Sequence, residues 1–164
     1  MPARLRQIRG KNVRESGHRL AFTVLVGALL AGATGCSDNA LESPTAKRIK
    51  GLGTMFLDHA AAKSGPGPAN EKEFRDYLKS KPDFVLDMNG VDPKDIDGTF
   101  KSLRDNEPFV VLYGSSVTTF SGTSTQVLAH EKTGQGGKRL VVYASTKVDH
   151  VDEAKLKELL AAKP

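Results

Sequence analysis

Apolar positions along the chain follow three patterns in turn. Residues 21–33 form one apolar run, Ala21-Phe-Thr-Val-Leu-Val-Gly-Ala-Leu-Leu-Ala-Gly-Ala33. Further on, Ile49, Leu52, Phe56 and Ala60 recur at spacings of three and four, the signature of one buried helical stripe, and predict a helix to about Lys63. Ser43 followed by Pro44 reads as its N-cap and first helical residue. Gly51 and Gly53 oppose the helix, since a glycine in a helix interior costs about 1 kcal/mol relative to alanine. Ser64-Gly-Pro-Gly-Pro68 ends it. Asn70 with Glu73 three residues on reads as a capping box, and Phe74, Tyr77 and Leu78 place the apolar face of a second, short helix that stops before Pro82. Residues 83–106 read as a loop rich in Asp, with a single helical turn opened by Asp92-Pro93 and a turn at Arg104-Asp-Asn-Glu-Pro108.

From residue 109 the pattern shifts to β. Phe109–Tyr113, Gln126–Glu131 and Arg139–Ala144 are rich in β-branched and aromatic residues, and Gly134-Gln-Gly-Gly137 reads as the hairpin loop joining the last two. In the last of these, Leu140 and Val142 face one way while Val141 and Tyr143 face the other, so the strand is expected to be covered on both faces. Val148 and Val151 suggest a brief further strand. Asp152 then caps a final helix with Leu156, Leu159 and Leu160 as its buried stripe and Val151 stapled to Leu156. The expected class is α+β: N-terminal helices packed on a three- to four-stranded antiparallel sheet with a C-terminal helix, a single small domain over residues 46–164.

Charge changes the reading of the formal +5. Six of the 24 Lys and Arg and one of the 19 Asp and Glu fall in residues 1–35, which leaves 18 of each in residues 36–164. The basic excess therefore belongs to the N-terminal segment, and a nucleic-acid partner loses its main support. The apolar run 21–33 would span about 20 Å as a helix, short of the ~30 Å hydrocarbon core, which fits an export signal better than an uncleaved membrane anchor.

The run ends in Ala33-Thr34-Gly35-Cys36, which resembles the lipobox of bacterial lipoproteins, although Ala33 stands where Leu is commoner. That resemblance implies a signal peptide over 1–35, cleavage between Gly35 and Cys36, and lipid attachment at Cys36, with residues 36–45 as lipidated Cys and flexible tether. Ser37 in place of Asp implies sorting to the periplasmic face of the outer membrane rather than the inner one. Cys36 is the only cysteine, so lipidation also accounts for an odd thiol in an exported chain. A rival reading is a prepilin leader, because Arg19-Leu-Ala-Phe22-Thr23-Val-Leu-Val26 faintly echoes the start of type IV pilins; the early Glu of that pattern is missing.

Other chemistry finds bland explanations. Asp87, Asn89, Asp92, Asp95 and Asp97 with Gly90 and Gly98 invite a Ca²⁺ site, but EF-hand spacing fails from every start, and these are also the residues of caps and turns. His59, His130 and His150 lack the short spacings of a zinc site, although His130 and His150 could meet across neighbouring strands. Tyr113-Gly-Ser115-Ser116-Val lacks the G-x-S-x-G pattern of a nucleophile elbow, and reads with Thr118–Thr125 as a flexible polar loop. No catalytic residue, metal site or cofactor is expected, and the chain reads as non-enzymatic.

Arg104-Asp-Asn-Glu-Pro108-Phe-Val-Val, Val127-Leu-Ala-His-Glu-Lys-Thr-Gly134, Gly137-Lys-Arg-Leu-Val-Val-Tyr143, Val148 and Val151-Asp-Glu-x-x-Leu156 resemble the soluble region of pseudopilin-like proteins of planctomycete-type bacteria. Ser145-Thr146-Lys147 departs from the Asp-Gly-like turn usual there. The resemblance implies a helix packed on an antiparallel sheet at a cell envelope. The expected function is thus a membrane-tethered envelope lipoprotein with a partner-binding or structural module, held to the membrane by lipid on Cys36 and meeting an envelope protein partner. The alternatives are a pseudopilin-like component of a secretion or pilus apparatus, and a small-ligand or metal-binding module.

Overall fold

The computed structural model describes residues 38–117 and 122–162. The expected signal over 1–35, Gly35 and Cys36 lie outside the described residues, as do residues 118–121 of the polar loop. Within the expected tether, Asp38–Glu42 form a 3-10 turn that leads directly into the first helix. Helix α1 (Pro44–Lys63) starts as its sequence predicts: Pro44 is the first helical residue, and Ser43 Oγ accepts the Ala46 amide at 3.2 Å. It ends on Ser64, whose left-handed backbone (φ 51°) closes the last turn.

At the two glycines that oppose this helix by propensity, neighbouring atoms leave no space for a side chain. A Cβ on Gly51 would overlap the Asn89 carbonyl oxygen, and one on Gly53 would lie 2.6 Å from Val142 Cγ2. Both glycines are buried. The propensity loss is accepted for close packing on the sheet and on the loop at 89–90.

Helix α2 (Glu71–Lys79) is capped by Asn70, whose Oδ1 accepts the Glu73 amide at 2.9 Å. The reciprocal bond is displaced by one residue: Glu73 accepts the amide of Ala69, not of Asn70. Phe74 is fully buried between Phe56 and Phe100, both edge-on to it at 5.9 and 5.6 Å. The Asp-rich stretch is more ordered than its composition predicts. Asp83–Met88 form a short helix, α3, whose Leu86 is buried in the core. The single turn expected from Asp92-Pro93 begins three residues later as α4 (Ile96–Thr99), because Asp95 supplies the cap to Gly98 N while Asp92 makes only a local turn to Lys94 N.

Four strands, β1 (Phe109–Val111), β2 (Val127–Glu131), β3 (Lys138–Tyr143) and β4 (Val148–Asp152), form an antiparallel sheet in sequential order. The class is α+β. Strand β1 is shorter than expected, because Tyr113 N turns back to Val111 O and Gly114 N bonds Pro68 O in the loop after α1. The β2–β3 hairpin closes through Gly136 and Gly137, both at positive φ, as a two-residue I′ turn requires. A register shift between Val127 and Ala129 lets adjacent Leu128 and Ala129 both enter the core under α1, and all five residues of β2 are buried.

As expected from β3, the sheet is covered on both faces. Leu140 and Val142 pack with Ile49, Leu52 and Phe56 of α1. Val141 and Tyr143 pack with Val127 and with Leu156 of helix α5 (Glu153–Ala161), against which Val151 also sits. The predicted α5 stripe is too wide: Leu159 is only partly buried and Leu160 is 41% exposed. The β3–β4 turn holds Thr146 at φ 61°, a left-handed backbone that a β-branched residue rarely adopts.

Candidate functional site

The residues singled out by sequence are spread over the fold, and most are engaged in holding it. His130 and His150 do not meet, because β3 lies between their strands. His130 pairs with Val141 and His150 with Leu140, so the two rings project from opposite faces of the sheet. His130 is buried, and its Nδ1 lies 2.8 Å from the Glu131 carbonyl oxygen. Burial lowers its pKa, partly offset by that contact. His59 is buried on α1, with Nε2 3.2 Å from Glu73 Oε1 and its ring edge-on to Tyr77. Its Nδ1 is buried without a hydrogen-bond partner.

The Asp cluster is divided among caps and ion pairs. Asp95 caps α4, Asp97 binds Arg75, Asp92 binds Lys94 N, and Asn89 donates to Val85 O. Among the described residues no group of three His, Cys, Asp or Glu is placed to hold a metal ion. Ser115 Oγ donates to Leu112 O and no base stands beside it in that contact.

A buried polar network that the sequence did not reveal lies at the end of β2. Glu131 is fully buried, and it accepts Ser102 Oγ at 2.7 Å and Leu140 N at 2.8 Å. Arg104, from the turn before β1, pairs with it: Nη1 approaches Oε2 at 3.2 Å, close enough for an ion pair but without hydrogen-bond geometry. Arg104 Nη2 lies 3.1 Å from His150 Nε2. An arginine only donates, so this His150 nitrogen must be the unprotonated one. Desolvation, then the positive charges of Arg104 and Lys138, hold the His150 pKa down. Asp105 completes the joint by accepting Gly134 N at 2.6 Å and Glu107 N at 3.0 Å. Burial opposes ionisation of Asp105, but these amides outweigh it and lower its pKa. The network fastens the 101–108 turn to the β2–β3 hairpin. Its groups contact one another and the backbone amides of Leu140, Gly134 and Glu107.

An open cleft lies elsewhere among the described residues. A cleft of about 620 Å³ separates the N-terminal end of α1 from the β3–β4 turn. Leu41 and Glu42 form one rim, Lys47 and Lys50 rise from α1, and Thr146 and Lys147 come from the turn. Lys47, Lys50 and Lys147 are exposed. Lys147 pairs with Asp149 at 2.9 Å. The apolar periodicity does not single out these lysines; the turn that brings Lys147 opposite Lys47 and Lys50 is a tertiary feature. Among the described residues no helix is long and apolar enough to cross a membrane.

No protein-family model, curated protein or solved structure matches this chain.

Proposed function

We propose that this chain is a membrane-tethered lipoprotein of a bacterial envelope, held by lipid on Cys36, whose α+β domain serves a non-enzymatic role as a partner-binding or structural module. The observation that carries this reading is the order of features at the N-terminus. A basic segment, an apolar run too short to span a bilayer, two small residues and a lone cysteine follow one another over residues 1–36. The neutral balance of residues 36–164 supports it, since the basic excess leaves with the signal. The use of the acidic and imidazole groups described above in caps, ion pairs and packing gives no support to a catalytic alternative. Two or three acyl chains provide firm anchoring where one is marginal.

Metabolic labelling with a radioactive fatty acid tests this in cells producing the wild-type chain or Cys36→Ser. Label on the wild type alone is the expected result; label on neither overturns the proposal. The runner-up is a pseudopilin-like component of a secretion or pilus apparatus, favoured by the hairpin pattern between Arg104 and Leu156. An N-methylated residue at position 21 or 22 at the start of the mature chain would establish it instead.

A further inference from the structure

We infer that the cleft between α1 and the β3–β4 turn is a seat for anionic phospholipid headgroups of the membrane that holds Cys36. The inference rests on the lipid-anchor reading and adds a second, electrostatic contact to it. Its first support is position. Only Ser37 lies between Cys36 and the start of the 3-10 turn at Asp38, and Leu41 within that turn already lines the cleft. Two extended steps and three of 3-10 rise put Leu41 within roughly 13 Å of an acylated Cys36. The polar interface of a bilayer leaflet is itself about 5–8 Å deep, so the cleft can hang no further from it than the reach of long side chains.

The second support is charge. Lys47, Lys50 and Lys147 line the cleft against one carboxylate, Glu42. Asp149 engages Lys147, whereas Lys47 and Lys50 have no ion-pair partner among the described residues. An otherwise neutral domain thus turns unpaired cations toward the end at which its chain would enter the membrane. The third is the exposed apolar side chain of Leu41, 45% accessible on the same rim, which suits the boundary between headgroups and acyl chains. Each lysine at an anionic surface strengthens association by about fivefold, and the effect fades within a Debye length.

The test uses lipidated protein extracted from membranes and inserted into preformed vesicles, with its intact mass read first. Lysines are labelled by an amine-reactive reagent and located by peptide mass spectrometry. On vesicles containing phosphatidylglycerol, Lys47 and Lys50 should label about fivefold more slowly than on pure phosphatidylcholine. Lys147 should be slowed less. Lys155 and Lys157, on the helix covering the opposite face of the sheet, should not change. In 1 M salt the difference should vanish, and Lys47→Gln/Lys50→Gln should remove the anionic-lipid dependence of Lys147. Equal labelling on the two vesicle types, on protein whose mass shows the lipid, overturns the headgroup seat and leaves the anchor standing. Protection present in native membranes but absent on both vesicle types also overturns it, and assigns the cleft to an envelope protein. A mass without acyl chains overturns the anchor and this inference with it.

Discussion

Replacing Gly51 by alanine sets two physical effects against each other, and their magnitudes decide the sign. In an exposed helix interior the change would stabilise by about 1 kcal/mol, because alanine loses less backbone entropy on folding. Here the new Cβ would overlap the Asn89 carbonyl oxygen and stand 3.3 Å from both the carbonyl carbon and the oxygen of Gly90. These are backbone atoms in a segment pinned by Asn89 N to Leu86 O and Val91 N to Leu86 O, both at 3.0 Å, so they cannot swing aside as a flexible side chain would. Overpacking of a tight core costs about 1–3 kcal/mol, and a rigid neighbour puts this case near the top of that range. The net expectation is a loss of roughly 2 kcal/mol, or about 6–10 °C in Tm for a domain of this size. Thermal unfolding followed by far-UV circular dichroism reads it directly. Thr54→Ala is the control: Thr54 is half-exposed on the same helix, with its hydroxyl bonded back to Lys50 O, and the change should leave Tm equal or slightly raised. An unchanged or raised Tm for Gly51→Ala would refute the packing of α1 against the 89–90 loop.

Three further outcomes follow from the polar groups. Glu131→Gln should cost roughly 3 kcal/mol in urea unfolding, since it leaves the largely buried Arg104 without a counter-charge; a loss below about 1 kcal/mol would show that the pair is not buried as described. His130 and His150 both have pKa values held down in the fold, chiefly by desolvation. The unfolded chain therefore takes up protons first, so stability should be complete above about pH 6.5 and fall as pH drops below it. His150→Gln should reduce that slope between pH 6.5 and 5, and an unaltered slope would count against the Arg104 contact. Burial pushes Tyr113 and Tyr143 up to about 12 and also raises Tyr77. An ultraviolet titration should therefore show little phenolate at pH 10.5 from the folded chain's three tyrosines, and half-ionisation near pH 10 would contradict it.

Much of this fold is legible in the sequence because local signals and burial agree. Ser43-Pro44, Asn70 and Asp152 each cap the helix they predict, and the two-faced apolar pattern of Leu140–Tyr143 matches a strand covered on both sides. The failures have tertiary causes. Asp83–Met88 is about one and a half turns long, too short for a periodic stripe, and burial of Leu86 and the Asn89 side chain on Val85 O hold it as a helix. Leu160 has the right spacing for the α5 stripe, but the helix has a single sheet face to cover and Leu156 occupies it. Nothing local distinguishes Glu131 from a solvated strand end; its burial depends on Arg104 and Ser102, 27 and 29 residues earlier in the sequence. The lysine cleft is hidden for the same reason, since Lys147 comes to face Lys47 and Lys50 only through the β3–β4 turn. That turn runs through Thr146 at φ 61°, a left-handed backbone that a β-branched residue rarely adopts.

The intact mass of protein extracted from membranes, wild type beside Cys36→Ser, decides whether Cys36 bears the lipid. With lipid on Cys36, the wild-type chain begins at Cys36 and carries a diacylglyceryl group and usually a further acyl chain, and the Cys36→Ser chain keeps residues 1–35 and has no added lipid. A wild-type mass equal to the unmodified full chain, or to one cut near residue 20 and bearing an N-methyl group, would contradict it.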